Sequence, residues 1–94
     1  MTLEAFRSTL PDAQPPAGLS DCLTALWYAG KEYWAQAHHI AQEIETKDGS
    51  WIHAYLHRVE GDTWNAGYWY TRAGRPMPAY SFEKEWEELV RAML

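Results

Sequence analysis

His53 and His57 stand four residues apart with Glu60 three further on, which places all three on one face of a helix. Paired helical imidazoles at this spacing can bind a divalent metal, with the carboxylate as a further ligand. The run is not a zinc-hydrolase motif, because Ala54 stands where the general-base Glu of HExxH would be, and no Cys lies nearby. The competing reading is that these side chains are solvated or pack against a neighbouring helix. His38 and His39 are consecutive, so they point to neighbouring helical faces and cannot both serve one site from a single helix. His38 borders an apolar stripe and is read as a packed, hydrogen-bonded side chain. Cys22 has no histidine partner within its own segment and reads as a buried thiol, not a nucleophile.

A second group of residues suits binding without chemistry, and no residue is assigned a catalytic role. Tyr55, Trp64, Tyr68 and Trp69 could line a groove for a peptide or partner helix, since rigid aromatics give contact area at low entropy cost. Arg58, Arg72 and Arg75 interleave with them, which permits stacking on the rings or a clamp on a carboxylate, with ion pairing to Glu60 or Asp62 as the structural alternative. Asn65 precedes a packing alanine and would fix the geometry of the turn before it if its amide is half-buried. Glu83, Glu85, Glu87 and Glu88 read as a solvated face that complements a helix dipole.

The elements that must position these side chains are helical. Thr2 can cap a short helix with Leu3, Phe6 and Leu10 on one face, and Pro11 stops it. Ser20 caps a helix carrying Leu23, Leu26 and Trp27, with Gly30 as its end signal. A further helix from Lys31 or Glu32 carries Tyr33, Ala37, Ile40, Ala41 and Ile44, and Thr46 to Gly49 closes it. Asp48 or Ser50 caps the helix of Ile52, Tyr55, Leu56 and Val59. Gly61 and Asp62 then make a compact turn into a helix that is apolar over most of its circumference and is expected to lie between neighbours. Ser81 caps the last helix, whose Phe82, Trp86, Leu89, Val90 and Met93 form the cleanest amphipathic stripe in the chain.

Laying Ala37 over Ala66 exposes a weak repeat, in which Ala25 meets Ala54, Leu26 meets Tyr55 and Ile40 meets Trp69. Gly61, Asp62, Ala66, Tyr70, Ala73 and Pro78 resemble the second half of a tetratricopeptide repeat in type and spacing. Ala66 to Gly74 is similar to the related Sel1-type repeats, and Trp51 to Gly74 is similar to a stretch found in short bacterial proteins. In the first hairpin Trp34 and Ala37 fit, whereas Glu32 stands where the turn glycine would be. The resemblance implies an antiparallel helical-repeat scaffold and a protein-interaction role, and it brings no catalytic residues.

Ninety-four residues make one domain with a single modest core. The expected architecture is all-α: an N-terminal helix and linker over 1–18, then about five helices in two antiparallel hairpins over 19–46 and 50–74 and a C-terminal capping helix over 81–94. A net charge of −5 without a basic run argues against nucleic acid and anionic membrane. One cysteine excludes an internal disulfide framework, and the N-terminus shows no signal peptide or membrane span, so a cytoplasmic setting is expected. Two repeats bury little, which favours a homodimer. The functional expectation is an interaction module that binds a peptide or protein. The alternative is a metal-dependent or small-molecule enzyme using His53, His57 and Glu60.

Overall fold

Five of the six helices in the computed structural model, which describes all 94 residues, begin at a side chain that accepts a bond from a free amide of the first turn. Thr2 caps α1 (Leu3–Ser8), Ser20 caps α2 (Asp21–Gly30), Thr46 caps α4 (Lys47–Val59), Asp62 caps α5 (Thr63–Ala73) and Ser81 caps α6 (Phe82–Met93). Only α3 (Trp34–Ala41) starts without such a cap. The fold is all-α as expected, with six helices. No helix is long and apolar enough to cross a membrane.

Helix α3 folds back on α2 and α5 on α4; α3 also meets α4, which joins the two hairpins. Helix α6 lies against both α2 and α4, and α1 packs on α6. Phe6, Leu26, Trp27, Ile52, Leu56, Leu89 and Val90 are fully buried where these elements converge. Helix α4 is the central one, and every residue from Gly49 to Leu56 is buried.

The two hairpin turns close with the same hydrogen bonds. Tyr33 N donates to Tyr28 O and Ala37 N to Tyr33 O; at the offset that lays Ala37 over Ala66, Asp62 N donates to His57 O and Ala66 N to Asp62 O. Such a turn needs one residue in the left-handed region. Gly61 supplies it at φ 81° in the second hairpin, and Glu32 supplies it at φ 62° in the first, the one non-glycine residue with positive φ in the chain.

Four details depart from the sequence reading. Helix α3 starts at Trp34, not at Lys31 or Glu32, because Lys31 to Tyr33 are consumed by the turn, and it stops at Ala41 before Ile44. Thr46 to Gly49 do not close that helix; Thr46 caps α4, and Gly49 lies so close to the Ile44 carbonyl that a Cβ would collide with it. Helix α5 is not sandwiched, since it packs chiefly on α4 and leaves Trp64 79% and Tyr68 48% exposed. Finally, Glu85 is not solvated: it is 0% exposed. Its carboxylate accepts from Tyr70 Oη at 2.6 Å and Trp51 Nε1 at 3.2 Å and pairs with Arg58 Nη1 at 3.0 Å. The carboxyl group is tolerated in the interior because three donors surround it.

Candidate metal centre

The three-helix junction of α3, α4 and α5 brings three imidazoles together. His53 and His57 project from one face of α4, and His38 reaches them from the last turn of α3. One ring nitrogen from each lies within 4.8 Å of the others, and Nε2 of His38 is 2.6 Å from Nε2 of His53. The His53 and His57 rings stack at 4.9 Å with a 20° interplanar angle, and His38 stands edge-on to both, at 4.5 and 5.0 Å. Trp69 of α5 continues the stack, 4.0 Å from His53.

Burial and mutual repulsion disfavour protonation of His38 and His53. His53 is 7% exposed, and burial, together with the neighbouring His38 and His57, depresses its pKa to about 4. The His38 pKa is also lowered, first by burial and then by His57, with Glu60 acting in the opposite sense. Neutral imidazoles are the form that ligates a metal.

The turn between α4 and α5 adds a carboxylate beside the cluster. Asp62 accepts from Asn65 N at 3.3 Å and from Asn65 Nδ2 at 2.6 Å, bonds that hold its pKa below the usual carboxylate value. Asn65 thus fixes the hairpin geometry, as its position suggests. The same Asp62 carboxylate lies 3.6 Å from Nδ1 of His57, and Glu60 lies 3.9 Å from that atom. His57 Nδ1 is buried and has no hydrogen-bond partner.

Of the sequence-based set, His53 and His57 fall in this cluster and Glu60 does not. Glu60 is exposed and outside the trio; it follows the last turn of α4 and reaches only the outer side of His57. His38 takes its place. Its own helix gave no sign of this, because the pairing of α3 with α4 is tertiary; its position beside the Ala37–Ala41 stripe was the one signal that it faces inward.

The aromatic groove is not assembled as expected. Tyr55 is 3% exposed and lies across α4 from the histidines, in a pocket shared with Trp34 and Trp86. Arg58 is committed to Glu85 and to the Tyr80 carbonyl. What remains together on α5 is Tyr68, edge-on to Trp69 at 5.2 Å, with Arg72 5.8 Å and 5.1 Å from the two ring centroids. Trp64 lies one turn earlier, and its ring is in solvent. Cys22 is half-buried, and burial raises its pKa ahead of Asp48 and Asp21, which suits an unreactive thiol.

Comparison with protein-family models, curated proteins and solved structures finds no match. The functional reading rests on this chain's own geometry.

Proposed function

We propose that this protein binds a divalent transition-metal ion through His38, His53 and His57, and that the ion pins the first hairpin to the second. The observation that carries this reading is the convergence of three buried or half-buried imidazoles from two helices, with one ring nitrogen of each within 4.8 Å of the others. In a tetrahedral site with bonds of about 2.0–2.1 Å, ligand nitrogens sit roughly 3.3 Å apart. That separation falls between the 2.6 Å of the closest pair and the 4.8 Å that bounds the set. All-imidazole donation suits zinc, copper, nickel or cobalt and is a poor match for calcium or magnesium, which take oxygen ligands. With Asp62 on the Nδ1 side, His57 would ligate through Nε2, in the carboxylate–histidine–metal arrangement that raises ligand basicity. Three protein ligands leave a coordination position for water or a small ligand.

Protein purified without an affinity tag and dialysed against zinc should retain about one equivalent by elemental analysis. Cobalt should give the visible spectrum of a tetrahedral site, lost on replacing His38 with Ala. Protein that takes up no zinc at micromolar concentration would end this reading.

A second reading is favoured by one observation, the large aromatic side chains left open on α5. The matching turn bonds of the two hairpins support a tetratricopeptide-like pair of helical repeats. On that scaffold Trp64, Tyr68 and Arg72 would take a partner protein or peptide, and a second copy of the chain is one such partner. Trp64→Ala should leave the helical signal and melting temperature within error of the parent while abolishing capture of that partner; loss of the fold would place Trp64 in the core instead.

A further inference from the structure

On the other side of α4 from the histidines, α1, α2, α3, α4 and α6 line a half-open pocket of about 430 Å³. Its walls are aromatic, formed by Trp34, Tyr55, Phe82 and Trp86. Tyr55 is 3% exposed, yet its hydroxyl makes no hydrogen bond within the protein and opens into this space. A hydroxyl on a pocket wall with no partner in the protein is free to bond a ligand's polar group.

The charges at the pocket are not balanced. Glu32 and Glu83 line it and form no ion pair or hydrogen bond. The one lining cation, Arg7, is paired with Glu87 and rests on the Trp86 ring. Arg58, behind Phe82, is held by Glu85. The free charge facing the pocket is therefore negative. Glu32 also holds the left-handed conformation that glycine supplies in the matching turn, a strained backbone of the kind that collects at functional positions.

We infer that this pocket, aromatic-walled and rimmed by two unpaired carboxylates, with the Tyr55 hydroxyl at its base, binds a small organic cation, an alkyl- or arylammonium. Ring faces attract a desolvated ammonium, and the carboxylates supply the long-range charge. The site is separate from the metal centre and needs no metal.

The test is a titration of the whole protein, treated with chelator, with benzyltrimethylammonium, followed by tryptophan fluorescence and by calorimetry. Benzyl alcohol serves as the neutral probe and benzoate as the anionic one. Saturable binding of the ammonium is expected at sub-millimolar concentration, at least about tenfold tighter than benzyl alcohol, a ratio in keeping with a desolvated cation–π contact. Glu32→Gln with Glu83→Gln should weaken the cation about tenfold without changing the affinity for benzyl alcohol. Both positions are exposed, so the fold is retained. Tyr55→Phe, which keeps the ring and removes the unpartnered hydroxyl, should weaken only ligands that carry a polar group. Equal affinity for the cation and the alcohol, preference for benzoate, or no saturation by 10 mM, roughly the weakest affinity a specific pocket gives, would each overturn the inference.

Discussion

Replacing His38 with Ala should remove most of the stabilisation that zinc confers, and the size of that loss can be worked out. An ion that binds only the folded chain stabilises it by about 2.7 kcal/mol at a free concentration of 100 Kd. For 94 residues the unfolding entropy is roughly 0.2 kcal/mol per degree, so zinc at that concentration should raise the melting temperature by about 14 °C. Losing a hydrogen-bond partner of a ligand already costs about 10–100-fold in metal affinity, and losing a ligand costs at least the upper figure. At the same free zinc the His38→Ala protein would then sit near its own Kd, where the stabilisation is only about 0.4 kcal/mol and the rise about 2 °C.

His39→Ala is the matched control, because His39 neighbours His38 on the same short helix but is exposed and outside the cluster. It should keep the full rise. Asp62→Asn tests the orienting carboxylate separately: Asn caps a helix as well as Asp does, so α5 should persist while zinc affinity falls about tenfold. Scanning calorimetry or fluorescence melts in buffered zinc, each paired with a chelated sample, provide the readout. If His38→Ala and His39→Ala shift equally, the cluster does not bind the metal and the reasoning fails.

Two more predictions follow from buried polar groups. Glu85→Ala strands Arg58, Tyr70 and Trp51 at once, which should cost about 3–5 kcal/mol; the double change Glu85→Leu with Arg58→Met should cost less than Glu85→Ala alone, as denaturant titration can show. The second prediction concerns acid. The His53 pKa falls from 6.5 in the unfolded chain to about 4 in the folded one, so between those values the unfolded chain binds more protons and stability drops as pH falls. The groups facing His53 are His38 and His57, whose effect also opposes protonation, with Glu60 and Asp62 beyond them. Metal-free protein should lose about 3 kcal/mol between pH 6.5 and 4, a loss that is fully absent above pH 6.5; His53→Gln should flatten that part of the pH profile.

The helices were legible because their signals are local. Ser20, Asp62 and Ser81 cap where a hydroxyl or carboxylate precedes an apolar period, and Gly61 ends α4 where a left-handed residue is needed. Glu32 shows the limit of that logic. It occupies the same left-handed position without being glycine, so the first turn looked like a helix start. Glu85 was misplaced for a related reason. Hydropathy assigns a charged side chain to solvent, and only the tertiary positions of Arg58, Tyr70 and Trp51 create an interior that satisfies it. Two of the three proposed ligands, His53 and His57, came from spacing within α4. The other ligand belongs to another helix, and no periodicity in one helix encodes what crosses it.

The metal centre and the open aromatic face are physically continuous. His53 stacks on Trp69, Trp69 meets Tyr68 edge-on, and Arg72 covers both while bonding to the Tyr68 hydroxyl at 3.1 Å. A movement of His53 that opens the 2.6 Å contact with His38 to ligand spacing would press on Trp69 or on His57, between which its ring is stacked. A metal-dependent change at the surface therefore requires no rearrangement of the hairpins, only a shift of one indole that is half-buried at the edge of the core. Contiguity alone does not establish coupling; that requires Trp69 to have two arrangements which the ion and a partner each bias. The placement of Trp69 next to both groups makes it the residue through which such coupling would have to pass.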